Sequence, residues 1–339
     1  MRECVDKKSW MLVTGVALLL LLFALNILLG AVDVPFVEVL KTLAGDGANE
    51  MWRLIVIETR LPQALVALLA GAAVSVAGLI LQTLFNNPLA GPEVLGINSG
   101  AGLGVAIVML LAQGAVVSGT LGGFVAVLMG AFIGALLVIA LILSLSSLLK
   151  NRLYLLIAGV AISYLVSSVI SVLNYFATSE GVHSYMIWGM GSFGAVSMGQ
   201  MPWFAVPLLL LLAVALFMMK PLNALLLGDD YATNLGIDVM NVRVVLLAVT
   251  GLLTAVVTAF CGPVAFIGLA VPHIARLFLG TSNHKILLPA TMITGASVAL
   301  LCNLLTMLPG ESGMMPLGAI TPLVGAPVII YVVLKNNRL

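Results

Sequence analysis

Apolar runs of about twenty residues alternate along this chain with short punctuation of charged residues, Gly and Pro, and no stretch alternates apolar and polar with a period of two. The runs stand near residues 10–32, 61–85, 97–113, 117–148, 154–176, 203–219, 240–261, 266–280, 286–308 and 317–335. Most approach the ~20 residues that a helix needs to cross the hydrocarbon core. In lipid a helix pairs its own backbone groups, whereas an open strand leaves them unpaired. The pattern therefore predicts an all-α, polytopic membrane protein with about ten transmembrane helices, one membrane domain over residues 1–339 and no room for a sizeable soluble domain. The fourth run is long enough to tilt or protrude. The first follows Lys7 and Lys8 but is too long for a signal peptide and lacks a small-residue cleavage site, so it reads as a retained span.

Composition agrees: 62% of residues are hydrophobic and 8% charged, against about 25% charged in soluble domains. Charge also fixes an orientation. With the N-terminus inside and ten spans, Arg2, Lys7, Lys8, Lys150, Arg152, Lys220, Arg243, Arg276, Lys285, Lys335 and Arg338 lie inside, and only Lys41, Arg53 and Arg60 outside. That sorting satisfies the positive-inside rule and predicts that both termini are cytoplasmic. Cys4, Cys261 and Cys302 have neither metal-ligand spacing nor a paired framework and read as buried small hydrophobes.

All thirteen acidic residues are predicted to lie in loops or at span ends, none at mid-membrane. Ion-driven carriers commonly hold a carboxylate inside the bundle, although sodium can also be bound by carbonyls and hydroxyls around broken helices. There is no phosphate loop of the GxxxxGK[ST] type, no HExxH and no GxSxG. His273 and Arg276, one helical turn apart in "VPHIARLFLG", have no nucleophile or acid partner and read as anchors near the cytoplasmic end of the eighth span. The chain is expected to move or hold something without an energy source of its own.

Three polar features stand out. Residues 221–237 read as two short helices broken at Gly228, with Asp229 and Asp230 at the second N-terminus. Leu225, Leu226, Leu227, Tyr231 and Leu235 give this cytoplasmic knob an apolar surface, suited to another protein or to the bilayer interface. "FNNPLAGP" has two prolines that interrupt any helix, and reads as a cytoplasmic turn. Ser163, Ser167, Ser171, Asn174 and Thr178 recur at helical spacing, a polar stripe that suits either close helix packing or a water-accessible path. Outside, residues 179–203 are rich in Gly, Met and aromatics and predict a short helix at the outer mouth. There Met186, Trp188, Met190 and Phe193 suit contact with a bulky ligand or an interfacial belt. "GPEVLGI" (91–97) and "GPVAFIGL" (262–269) follow oppositely directed spans and hint at an inverted repeat.

The knob, together with "RLPQALVALLAGAAVSVAGLILQTLFNNPLAGPEVLGINSGAGLG" (60–104), "LLIAGVAIS" (155–163), "IWGMGSFG" (187–194), "CGPVAFIGLAVPHIARLFLG" (261–280), "HKILLP" (284–289) and "PLGAITPLVGAPVIIYVVLK" (316–335), resembles the permease subunits of the iron-siderophore, haem and cobalamin class of ABC importers, in order and over nearly the whole chain. The resemblance implies a bacterial inner-membrane permease that works as a homodimer, with two cytoplasmic ATPase subunits, an extracytoplasmic substrate-binding protein and surrounding lipid as partners, and no nucleic acid. It also implies that ATP and Mg belong to the partner ATPase, that this chain binds no cofactor or metal, and that it has no catalytic residue. By matching position it assigns ATPase coupling to Leu225, Leu227, Gly228, Asp229, Ala232 and Leu235. A cytoplasmic gate is implied at Asn87, Leu89, Asn151 and Arg152, and a translocation path along Ser163, Ser167, Ser171, Asn174 and Thr178. Binding-protein docking is implied at Arg60, with Arg53 as a substitute, because Gln63 and Met307 stand where some relatives carry arginine. The cargo implied is an iron chelate, siderophore first, or haem or cobalamin. An ion-coupled secondary transporter is the alternative.

Overall fold

The computed structural model describes residues 2–30, 32–45, 49–111, 121–149, 152–308 and 313–336, and every regular element among them is a helix. In chain order these are α1 (Arg2–Leu28), α2 (Phe36–Ala44), α3 (Glu50–Arg53), α4 (Leu61–Leu84), α5 (Ile97–Leu111), α6 (Leu121–Leu148), α7 (Arg152–Phe176), α8 (Ser179–Gly189), α9 (Met201–Phe217), α10 (Met219–Leu225), α11 (Asp229–Asn234), α12 (Val239–Cys261), α13 (Ile267–Leu279), α14 (His284–Thr306) and α15 (Leu317–Asn336). Seven helical stretches are long and apolar enough to span a membrane, whereas Ile97–Leu110, Ile267–Leu279 and Leu317–Val332 are shorter. The sequence patterns for α5 and α13 are cut short by backbone breaks: Gly96 takes φ 75° before α5, and Gly262 takes φ 75° followed by Phe266 at φ 65° before α13.

The hub is α4, whose residues are almost all buried against α12, α13 and α14. Small residues permit these approaches. A Cβ at Gly71 would stand 2.3 Å from the Gly295 carbonyl of α14, and one at Gly78 would stand 1.7 Å from the Gly268 carbonyl of α13. On the other flank Gly100 and Gly104 of α5 face Gly130 and Gly134 of α6, two small-xxx-small motifs meeting backbone to backbone. The hub is also tied by buried amides: Gln63 of α4 donates to Asn303 of α14 (3.0 Å), and Asn303 donates to Asn26 of α1 (2.7 Å). Gln63 is thus an internal strut and not part of a docking surface. Cys261 and Cys302 are buried free thiols.

Between α1 and α4, a stretch that reads in sequence as a connection forms α2, α3 and a π-helical turn over Leu54–Arg60 that runs into α4. Ile27, Val34, Val39 and Val56 close a small satellite core there. In contrast to α4, the spans formed by α1, α6, α7 and α9 stay mostly uncovered within one chain.

Candidate functional site

The two-helix knob forms as its residues dictate. Gly228, at φ 105°, makes the turn between α10 and α11, a conformation that L side chains rarely adopt. Asp229 opens α11 and meets Arg243 of α12 at 3.2 Å, which fastens the turn to the bundle. Leu225 and Ala232 are buried against the chain's own core, so neither can be a contact for a partner. Leu226, Leu227, Tyr231 and Leu235, by contrast, are exposed.

The "FNNPLAGP" turn begins where α4 ends at Leu84. Asn86 adopts φ 46°, tolerable for Asn, and Asn87 Oδ1 accepts the Leu89 N–H at 2.9 Å. Leu89 is exposed. The loop is held from α13: His273 Nε2 donates to the Pro88 carbonyl (2.7 Å), while Arg276 donates to Gln82 Oε1 (2.6 Å) and Gln82 donates to the Leu269 carbonyl (3.1 Å). His273 and Arg276 thus anchor this loop to the bundle. Asn151 lies outside the described residues, and Arg152 begins α7.

On α7 the polar stripe straddles the border between packed and open faces. Ser163 donates to the Gly159 carbonyl (3.0 Å) and sits beneath Gly96, whereas Ser167 and Ser171 are exposed. Asn174 is half-buried, and its Oδ1 is buried without a hydrogen-bond partner. Thr178 departs from the predicted stripe: α7 ends at Phe176, and Thr178 caps α8 by accepting the Gly181 N–H. Along α8 and beyond, Met186 and Met190 are exposed, Trp188 stacks on Tyr185 at 6.1 Å, and Phe193 is fully buried and so unavailable to cargo. Burial pushes the Tyr185 phenol up.

Arg60 overturns an expectation. Instead of facing a binding protein it is buried and donates to the carbonyls of Ile27 (3.0 Å), Leu28 (2.7 Å) and Val32, capping the C-terminal end of α1. The π-helical turn before α4 carries an additional residue per turn and swings Arg60 inward. Arg53 is exposed.

The acidic residues are expected in loops or at span ends, and Glu93 does lie in a turn, but one that is partly buried. Glu93, in the 3-10 turn Pro92–Leu95 between α4 and α5, has its carboxyl beside Phe266 at the N-terminus of α13; burial pushes its pKa up, and its Oε2 is buried without a hydrogen-bond partner. The turn packs closely on α13: a Cβ at Gly268 would touch both Pro92 and the Val74 carbonyl of α4. The α13 N-terminal dipole supplies the positive field that a buried carboxylate needs. In sequence the residue looks like part of a loop. The two echoing stretches, 91–97 and 262–269, pack on each other here. Among the described residues no group of three or more His, Cys, Asp or Glu is placed to hold a metal.

A model of the FecCD transport family matches residues 18–335, nearly the whole chain. The chain belongs to the FecCD transport family. Among its curated relatives, the vitamin B12 import system permease protein BtuC of Escherichia coli O6:H1 is 38% identical over 296 residues, 87% of this chain and 88% of the relative. The protein of the same name in Shigella sonnei is 37% identical over 294 residues, with the same coverage. A solved structure described as an inward-facing conformation of a metal-chelate type ABC transporter superposes with a TM-score of 0.83 at 28% identity, covering 96% of this chain and 99% of that one. FecCD proteins are transport subunits, so this chain is an ABC-importer permease and not an enzyme, and ATP hydrolysis lies in a separate subunit. Its apolar spans make it a multi-pass protein of a bacterial inner membrane. Membership also implies an ATPase and a substrate-binding protein as partners.

Proposed function

We propose that this FecCD permease forms, with a second copy of itself, the translocation path of an ATP-driven importer for cobalamin or an iron chelate (siderophore or haem). Two cytoplasmic ATPase subunits drive it through α10 and α11. The observation that carries the reading is the exposed apolar face of Leu226, Leu227, Tyr231 and Leu235, held rigid by Gly228 and the Asp229–Arg243 pair. Water does not favour such a patch uncovered. Asn87 and Leu89 mark the inner gate, with Asn151 and Arg152 as its second constriction. Ser167, Ser171 and Asn174 follow the path along α7, whose uncovered surface supports placing it against the second copy, while Ser163 packs beneath Gly96. Lipid covers the remaining apolar faces. Cobalamin becomes the first cargo to test because the similar permeases above are named for vitamin B12 import.

Glu93 is the one feature that favours an ion-coupled carrier. Its place in a tightly packed turn beside the α13 N-terminus supports a structural task instead. The coupling is tested by purifying the permease with its ATPase. Leu227→Glu with Leu235→Glu is expected to abolish co-purification while the permease still inserts and stays monodisperse. Undiminished co-purification contradicts the docking face.

A further inference from the structure

The knob and the gate loop are joined by a side chain that neither reading has used. His284, the first residue of α14 and almost wholly buried, stands between α10 and the last turn of α4. On one side its backbone N–H donates to Asn223 Oδ1 at 2.8 Å, and its ring Nδ1 lies 3.0 Å from the same oxygen. On the other its Nε2 lies 2.9 Å from Thr83 Oγ1. Asn223 belongs to α10, between the sixth apolar run and the Gly228 turn. Thr83 is the penultimate residue of α4, and its carbonyl accepts the N–H of Asn86 in the gate loop at 3.2 Å.

The hydrogen-bond roles are fixed by neighbours of known polarity. A backbone N–H points at Asn223 Oδ1, so that atom is the oxygen. Asn223 Nδ2 correspondingly donates to Asn283 Oδ1 at 3.0 Å. Nδ1 of His284 must then carry a proton. With Nδ1 protonated, Nε2 either accepts from the Thr83 hydroxyl or, on the charged ring, donates to it. The link survives both states, because Thr83 Oγ1 can donate to the Leu79 carbonyl (3.0 Å) whenever it is not donating to the ring.

We infer that His284 is a positioning residue, a rigid strut that transmits displacement of the coupling helices through Asn223 and Thr83 to the gate loop at Asn87 and Leu89. The imidazole suits the task because it is planar and bonds at both ends, so a push on α10 shifts the end of α4 instead of being absorbed by rotamer change. The far side of the loop is pinned to α13 by His273, so movement of Thr83 bends the loop against that fixed end. This inference rests on the proposed coupling of the knob to an ATPase.

The test uses the full permease assembled with its ATPase in nanodiscs, with Leu89→Cys as reporter on a Cys4→Ser background; Cys261 and Cys302 are buried. A soluble maleimide is the probe, so no cargo need be known. In the parent, trapping with ATP and vanadate is expected to change the labelling rate at residue 89 roughly tenfold, an ordinary size for coupling between two sites. His284→Asn preserves the bond to Asn223 but falls short of Thr83, and Thr83→Val removes the hydroxyl at nearly constant volume. Both are expected to hydrolyse ATP as the parent does and to lose the response, and the double variant is expected to behave like either single one. A normal response in either variant overturns the strut, as does failure of both variants to assemble with the ATPase, which would assign His284 to folding or docking. A parent that never responds to ATP contradicts the importer reading itself and is told apart by the control alone.

Discussion

Replacing Arg60 by Met separates the two roles that sequence and structure give this residue. Methionine keeps an apolar stem of similar length, so the change removes chiefly the guanidinium and its bonds to the carbonyls of Ile27, Leu28 and Val32. Hydrogen bonds from a charged donor are worth about 1.5–3 kcal/mol each, which sets a ceiling near 9 kcal/mol for three. Two effects lower that figure. The guanidinium no longer has to be desolvated, and the freed carbonyls lie at a helix end beside exposed Val32, where water can replace part of what is lost. A net loss of about 2–4 kcal/mol remains, comparable with breaking a buried polar network from one side. SDS-titrated unfolding in mixed micelles reads the stability, and binding to the immobilised substrate-binding protein reads docking on the surviving folded fraction. Arg60→Met is expected to unfold earlier with unchanged docking affinity, while Arg53→Glu weakens docking and leaves unfolding unchanged. Normal unfolding with weakened docking in Arg60→Met would refute the staple and restore Arg60 to the outer surface.

Three further outcomes follow. Gly104→Val places a branched side chain where a single Cβ would already stand 1.8 Å from the Gly130 carbonyl; overpacking of at least ~1–3 kcal/mol is expected, seen as early unfolding, and unaltered unfolding would contradict the α5–α6 approach. Cysteines at 167 and 171 are expected to react with a soluble thiol reagent, whereas one at 163, beneath Gly96, is not; the reverse order would contradict the assigned face of α7. Glu93→Gln keeps the shape of a carboxyl that burial already shifts toward its neutral form, so a stability change of no more than about 1 kcal/mol is expected; uptake should persist, and its abolition with ATP hydrolysis intact would mean that the carboxylate carries an ion.

Much of the architecture was legible because lipid imposes a simple rule: apolar runs become helices. Gly228 was readable as the break between α10 and α11 because a charged pair follows it directly. The misreadings have local causes. Leu225 and Ala232 belong to helices of one to two turns, too short for periodicity to show which face is buried. Arg60 follows a π-helical turn, whose additional residue shifts the register with no mark in the sequence. Glu93 sits in a turn that looks like any polar connection, and its burial depends on the packing of that turn against Gly268, far along the chain. His284 lies in a motif that carried the family resemblance, yet its partners Asn223 and Thr83 come from two other elements, a meeting that only tertiary structure brings about.

The decisive measurement is cyanocobalamin and ferric-siderophore uptake into proteoliposomes containing the permease, with its ATPase and binding protein added or withheld. Uptake of one of these cargoes is expected only when both partners and ATP are present, and it should persist when ionophores collapse proton and sodium gradients. Uptake by the permease alone, driven by a gradient and indifferent to ATP, would contradict the account.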